Sequence, residues 1–81
     1  RGAIILDVRT QSEFDLGAIA DAKHIPLDQL PAKISEVKNW NQPVITYCEK
    51  GGRSELAANM LRSHGVEVMN GGGYKWLSKN L

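Results

Sequence analysis

Cys48 stands directly after the apolar run Pro43-Val44-Ile45-Thr46-Tyr47 and is followed by Glu49-Lys50-Gly51-Gly52-Arg53-Ser54. An apolar run rich in β-branched residues reads as a buried strand. The segment Ser54 to His64 has the composition of a helix, so the cysteine falls on a strand–loop–helix turn. Two glycines let the backbone of such a turn adopt conformations that other residues resist. The loop can then aim successive N–H groups inward as an anion nest, next to the positive end of a helix dipole. An ordinary cysteine, titrating near ~8.5, is only a few per cent thiolate at neutral pH. Nest, dipole and the Arg53 cation all favour the thiolate, which is the nucleophile. The same donors would hold a persulfide anion after reaction, or an anionic substrate during it. A lone cysteine at a strand end is more often a small, inert core residue. The glycines and arginine on a helix-opening loop favour the reactive reading here.

The elements around this turn alternate. Ala3 to Leu6 is a second continuous apolar run and reads as another buried strand. Thr10-Gln11-Ser12-Glu13 fits a capping box that starts a short helix, with Gly17 as its left-handed stop. Lys23 to Ile25 reads as a short strand. Asp28 to Lys38 carries Leu30, Ile34 and Val37 at helical spacing and reads as one amphipathic helix, with Pro31 in its first turn. In the helix after Cys48, Leu56, Ala57, Met60 and Leu61 form the apolar side, and Gly65 suits its C-cap. Val66 to Met69 reads as a third clear strand, Gly71-Gly72-Gly73 as a flexible turn, and Tyr74 to Leu81 as a terminal helix. Alternation of strand and helix implies an α/β fold with a parallel β-sheet flanked by helices. At 81 residues the chain has room for one domain, taken as residues 1–81.

Composition narrows the function classes. Ten Lys+Arg against nine Asp+Glu give a net charge of +1 with no run of one sign. A nucleic-acid groove or polybasic membrane surface is therefore not expected. No apolar stretch approaches the roughly 20 residues needed to span a bilayer. With one cysteine and two histidines, neither an internal disulfide nor a structural zinc site is expected, and no cofactor is implied. No basic-then-apolar leader is visible at the start. The expected compartment is cytoplasmic, or periplasmic if an N-terminal segment has been removed. Other residues have bland readings. Asp7 and Arg9 each read as residues with local partners, Arg9 meeting Glu13 or Asp7 bracing a loop. Arg9 is also kept as a candidate substrate contact. His24 and His64 read as structural or surface groups, and Trp40 and Trp76 as packing anchors. Ser54 reads as a helix-start residue that bonds backbone amides.

The loop Cys48-Glu49-Lys50-Gly51-Gly52-Arg53-Ser54 resembles the active-site loop of rhodanese-like sulfurtransferases, a cysteine followed by xxGxR. Leu6-Asp7-Val8-Arg9 with Glu13-Phe14 resembles that family's first marker. Gly17-Ala18-Ile19 through His24-Ile25-Pro26-Leu27 resembles its second, and Gly72-Gly73-Tyr74-Lys75-Trp76 its C-terminal ending. These markers run in order along nearly the whole chain. One departure is Gly17-Ala18-Ile19-Ala20-Asp21-Ala22, where the family often has Gly-His-Ile-Pro-Gly-Ala. The resemblance also implies a first strand and helix that would fall before Arg1, so the sheet as read lacks its first N-terminal strand.

What the resemblance implies is a thiosulfate sulfurtransferase with Cys48 as the catalytic residue. Glu49, Lys50, Gly51, Gly52, Arg53 and Arg9 are then the substrate-binding residues. Cysteine phosphatases and arsenate reductases share this fold type but place five residues between cysteine and arginine. Here four intervene, a smaller loop that suits a sulfur atom bonded to the cysteine. The expected partners are a small anionic, thiosulfate-like donor and a cyanide or thiol acceptor, with a protein sulfur acceptor as a further expectation. Two other functions stay open at this point. One is a sulfur-relay protein for biosynthesis, and the other a non-catalytic rhodanese-like interaction module.

Overall fold

The computed structural model describes residues 2–81. Strand β1 (Ile4–Asp7) leads through helix α1 (Gln11–Asp15) to strand β2 (Lys23–His24). A 3-10 segment (Leu27–Lys33) and helix α2 (Ile34–Asn39) precede strand β3 (Val44–Cys48). Helix α3 (Gly52–Ser63), strand β4 (Val68–Gly73) and helix α4 (Tyr74–Asn80) complete the order. The four strands form one parallel sheet in the order β2-β1-β3-β4. The two continuous apolar runs are its neighbouring central strands, paired from Ile4↔Val44 to Asp7↔Tyr47. Strands covered on both faces need apolar residues on both, which is why these runs do not alternate.

One core joins the layers. Leu6 and Val8 from the β1 segment, Val44 from β3, Ala57 and Leu61 from α3, and Leu30, Ile34 and Val37 pack together. The last three stand at the helical spacing noted above and share an inward face. The expected single helix over Asp28–Lys38 is nonetheless two pieces. Pro31 lies inside the 3-10 segment, and Lys33 breaks the helical path at φ −116°, ψ 9° before α2 begins. Proline has no N–H to continue a helical ladder and crowds the preceding turn.

Three other expectations are corrected. The inward face of α3 is Ser54, Ala57, Ala58 and Leu61, while Leu56 is exposed. Small residues let α3 lie close on the sheet. Trp76 is exposed rather than an anchor, whereas Trp40 does pack against the core. The glycine run is strand, not a flexible turn. A Cβ on Gly71 would sit 2.8 Å from Ile45 Cγ2 and 2.9 Å from the Thr46 carbonyl oxygen, and one on Gly73 would sit 2.8 Å from the Glu49 carbonyl oxygen. Close backbone approach explains glycine there.

β3 and β4 also fall out of step near their ends. Thr46 pairs with Asn70 but Cys48 with Gly73, so β4 carries one extra residue. An irregularity of this kind re-aims the side chains beside it. It occurs next to Cys48.

Candidate functional site

Cys48 is the last residue of β3, at the carboxyl end of the sheet where open parallel sheets bind ligands. The chain then turns through Glu49, Lys50 and Gly51 into α3. Gly51 makes the turn at φ +111°, ψ −16°, a backbone conformation that glycine adopts without penalty. The turn folds the loop around the sulfur. Cys48 Sγ accepts the Gly51 N–H at 3.0 Å and the Ser54 N–H at 3.4 Å. Its own S–H donates to Ser54 Oγ at 3.5 Å. Burial pushes the thiol up, but the Ser54 hydroxyl and the N–H groups of Ser54, Gly51 and Lys50 outweigh it. The net result is a thiol held below its ordinary value. A sulfur surrounded by N–H groups at the start of a twelve-residue helix is set up to carry negative charge.

The charged residues around it are paired. Arg53 makes a two-pronged contact with Glu13 of α1, Nη1 to Oε1 at 2.7 Å and Nη2 to Oε2 at 2.9 Å. Glu13 is at the same time the closing residue of the α1 capping box, accepting the Thr10 N–H at 2.9 Å. Arg53, and after it Thr10, hold the Glu13 carboxyl down at about 2. Arg9 does not take Glu13. Its guanidinium meets Asp7 at 2.7–3.1 Å, the Gly17 carbonyl at 2.7 Å and Glu49 Oε1 at 3.1 Å. It lies beside the stacked pair of Tyr74 and Tyr47, 4.6 Å from the first ring and 5.4 Å from the second. The Tyr47 hydroxyl donates to Asp7 Oδ2 at 2.6 Å and accepts the Ile19 N–H at 3.1 Å. Burial, together with the bond to Asp7, pushes that phenol up to about 12.

Over the sulfur opens a hollow of about 410 Å³ lined by Glu13, Cys48, Glu49, Lys50, Gly52 and Arg53. Of the expected residues, Glu49, Lys50, Gly52 and Arg53 are thus brought around Cys48, and Gly51 supplies an N–H from behind. Arg9 is placed differently. Its side chain is 3 % exposed and stands behind Glu49, so it reaches a ligand in this hollow only through that carboxylate. Lys50 is exposed at the mouth.

Three contributors escaped the sequence reading. Glu13 shows in the sequence as a cap, and its partnership with Arg53 shows only in the fold. Ser54 is fully buried, and its side chain faces the sulfur and Asn70 rather than capping amides. Asn70 Oδ1 accepts from Ser54 Oγ at 2.6 Å. Nothing local marks Asn70 except its place before the glycine run. His24 bonds the Arg9 carbonyl at 2.8 Å and stacks on Phe14, and His64 sits at the end of α3 against the Met60 carbonyl. Among the described residues no cluster of His, Cys, Asp and Glu is placed to hold a metal. None of their helices is long and apolar enough to cross a membrane.

Comparison with known proteins gives a match to a family model described as rhodanese-like domain, over residues 1–79. The chain is 42% identical to the protein YqhL of Bacillus subtilis, across 98% of this chain and 64% of that one. It therefore spans just under two thirds of that relative. It is 33% identical to a sulfurtransferase of Allochromatium vinosum, covering 96% of this chain and 75% of the other. The crystal structure of a rhodanese-like domain protein from Staphylococcus aureus superposes with a TM-score of 0.85 at 29% identity, over 96% of this chain and 76% of that one.

Proposed function

The chain belongs to the rhodanese-like domain family, and we propose that it moves sulfane sulfur through a persulfide on Cys48. In the first step the Cys48 thiolate attacks the outer sulfur of thiosulfate or a similar donor. The Sγ–S bond forms, the donor S–S bond breaks, and sulfite leaves with the electron pair. In the second, cyanide or a thiol attacks the outer sulfur, thiocyanate or a new persulfide departs, and the Cys48 thiolate returns. This is covalent catalysis in two half-reactions. These 81 residues hold no second cysteine, so the acceptor lies outside them, as a small molecule or as a protein that receives the sulfur for biosynthesis.

The observation that carries this reading is the pair of N–H groups on the sulfur, from Gly51 at 3.0 Å and Ser54 at 3.4 Å. Donors fixed in advance where charge will sit need no reorganisation during reaction. Arg53, through Glu13, ties the loop to α1, and Arg9 steadies Glu49. Lys50 is the cation left at the mouth to draw an anionic donor. A non-catalytic interaction module has no need of donors on a buried thiol. The test is thiocyanate formation from thiosulfate and cyanide. The wild-type protein is expected to turn over and Cys48→Ser to be silent; activity in the serine variant would remove the persulfide mechanism. A wild-type protein that loads no sulfane sulfur and whose thiol titrates at its ordinary value would instead be the interaction module.

A further inference from the structure

The Ser54 hydroxyl has one proton to give, three oxygen acceptors around it and the Cys48 sulfur beside it. Asn70 Oδ1 is 2.6 Å away, the Gly51 carbonyl 3.0 Å, the Gly72 carbonyl 3.5 Å and Cys48 Sγ 3.5 Å. Ser54 is fully buried, so its proton is shared among these protein groups. The Asn70 amide is fixed in orientation by its other bonds. Oδ1 also accepts the Gly72 N–H at 2.9 Å, while Nδ2 donates to the Gly51 carbonyl at 3.3 Å and Glu55 Oε1 at 3.0 Å. A flipped amide would set two donors face to face at Gly72. With the short bond to Asn70 made, Ser54 Oγ presents lone pairs to Cys48, an arrangement that suits a neutral S–H.

We propose that Asn70 is a positioning residue that acts on Cys48 through Ser54, holding the hydroxyl proton away from the sulfur until the sulfur carries charge. The proposal rests on the reading of Cys48 as the nucleophile. A thiol is a weak acceptor and cannot draw the proton from an amide oxygen at 2.6 Å. A thiolate or persulfide anion is a charged acceptor, whose hydrogen bonds are about twice as strong as neutral ones. The hydroxyl then turns toward sulfur, and Asn70 Oδ1 keeps the Gly72 N–H. The charged groups facing this cluster are Glu49 and Lys50 of the loop, Arg53 with Glu13 of α1, Glu55 of α3, and Arg9 behind Glu49. All are retained in the variants below; Glu55 loses its bond from Asn70 Nδ2 in Asn70→Ala, and the Ser54→Ala background carries that same loss as its control.

Iodoacetamide alkylation of Cys48 as a function of pH tests this, with circular dichroism confirming that each variant folds. Asn70→Ala frees the hydroxyl for the sulfur and is expected to speed alkylation about three- to fivefold at pH values below the thiol midpoint. Ser54→Ala slows it, and adding Asn70→Ala to Ser54→Ala changes nothing further. An Asn70→Ala variant that is unchanged or slower overturns the proposal. So does an acceleration of equal size without Ser54, since Asn70 would then act only as a brace. If Asn70→Ala does not fold, Asn70→Asp carries the test, because a carboxylate holds the proton more firmly. Its expected slowing shrinks when Ser54 is alanine; slowing of the same size in both backgrounds overturns the proposal. Mass spectrometry of sulfane loading on the wild type judges the parent reading separately.

Discussion

Asp7 is fully buried, and its carboxylate is met from three directions. The Arg9 guanidinium grips it, the Arg9 backbone N–H donates at 2.8 Å, and the Tyr47 hydroxyl donates at 2.6 Å. Removing one partner from a buried charged group costs more than the bond contributes, because the group left behind stays desolvated. Tyr47→Phe deletes the donor to Asp7 and the acceptor of the Ile19 N–H. It is expected to destabilise the fold by about 1–3 kcal/mol, read as a lower urea midpoint. Persulfide loading should survive, because Arg9 still holds Glu49; an unchanged midpoint contradicts the account of this network. At this scale the sequence was half legible. That Arg9 takes a local carboxylate is legible in the chain, but the one it takes is Asp7 and not the expected Glu13. Arg53 and Glu13 stand 40 apart, and only the folded sheet decides which arginine takes which carboxylate.

Helix α1 is held at its start by a capping box and clamped to the start of α3 by Glu13 and Arg53. The box was legible because it spans four residues and closes on itself. The depressed Glu13 value means the folded state favours the ionised carboxylate. That group therefore adds stability above the ordinary carboxylate range, and the contribution is lost as pH falls from that range toward about 2. Glu13→Gln should unfold at lower urea than wild type at neutral pH, with the gap closing as the solution is acidified. A gap independent of pH contradicts the clamp. β4 makes the opposite lesson. Three consecutive glycines look like a flexible turn, yet β3 and the sulfur loop press against Gly71 and Gly73, and Gly72 between them takes a left-handed φ of +86°. In Gly73→Ala the new Cβ would meet the Glu49 carbonyl oxygen at 2.8 Å and Lys50 Cα at 3.3 Å. Both contacts are backbone, so the loop must move, and sulfur loading should fall by about tenfold or more. Loading at the wild-type rate would show that the loop tolerates displacement. The break at Lys33 likewise followed from a proline whose apolar neighbours still kept helical spacing.

Across the whole molecule, the parallel sheet is what gathers the site. Its strands all run the same way, so Asp7 at the end of β1 with Arg9 just beyond it, Cys48 at the end of β3 and Gly73 at the end of β4 arrive together. α1 and α3 bring Glu13, Arg53 and Ser54 to the same place. Cys48, its loop and its spacing to Arg53 were legible because they are contiguous in sequence. The supports from Glu13, Tyr47 and Asn70 were not, because each depends on strand order and register. The N–H groups that favour the Cys48 thiolate exist only while this arrangement stands, so the chemistry belongs to the fold and not to the loop alone. The most direct test is mass spectrometry of the intact folded protein and its Cys48 peptide after exposure to thiosulfate and, separately, to a small-molecule persulfide. The expected result is a gain of one sulfur atom on Cys48 with at least one donor, discharged by cyanide and absent in Cys48→Ser. A folded wild-type protein that gains no sulfur from either donor, or a serine variant that gains it equally, would contradict the account.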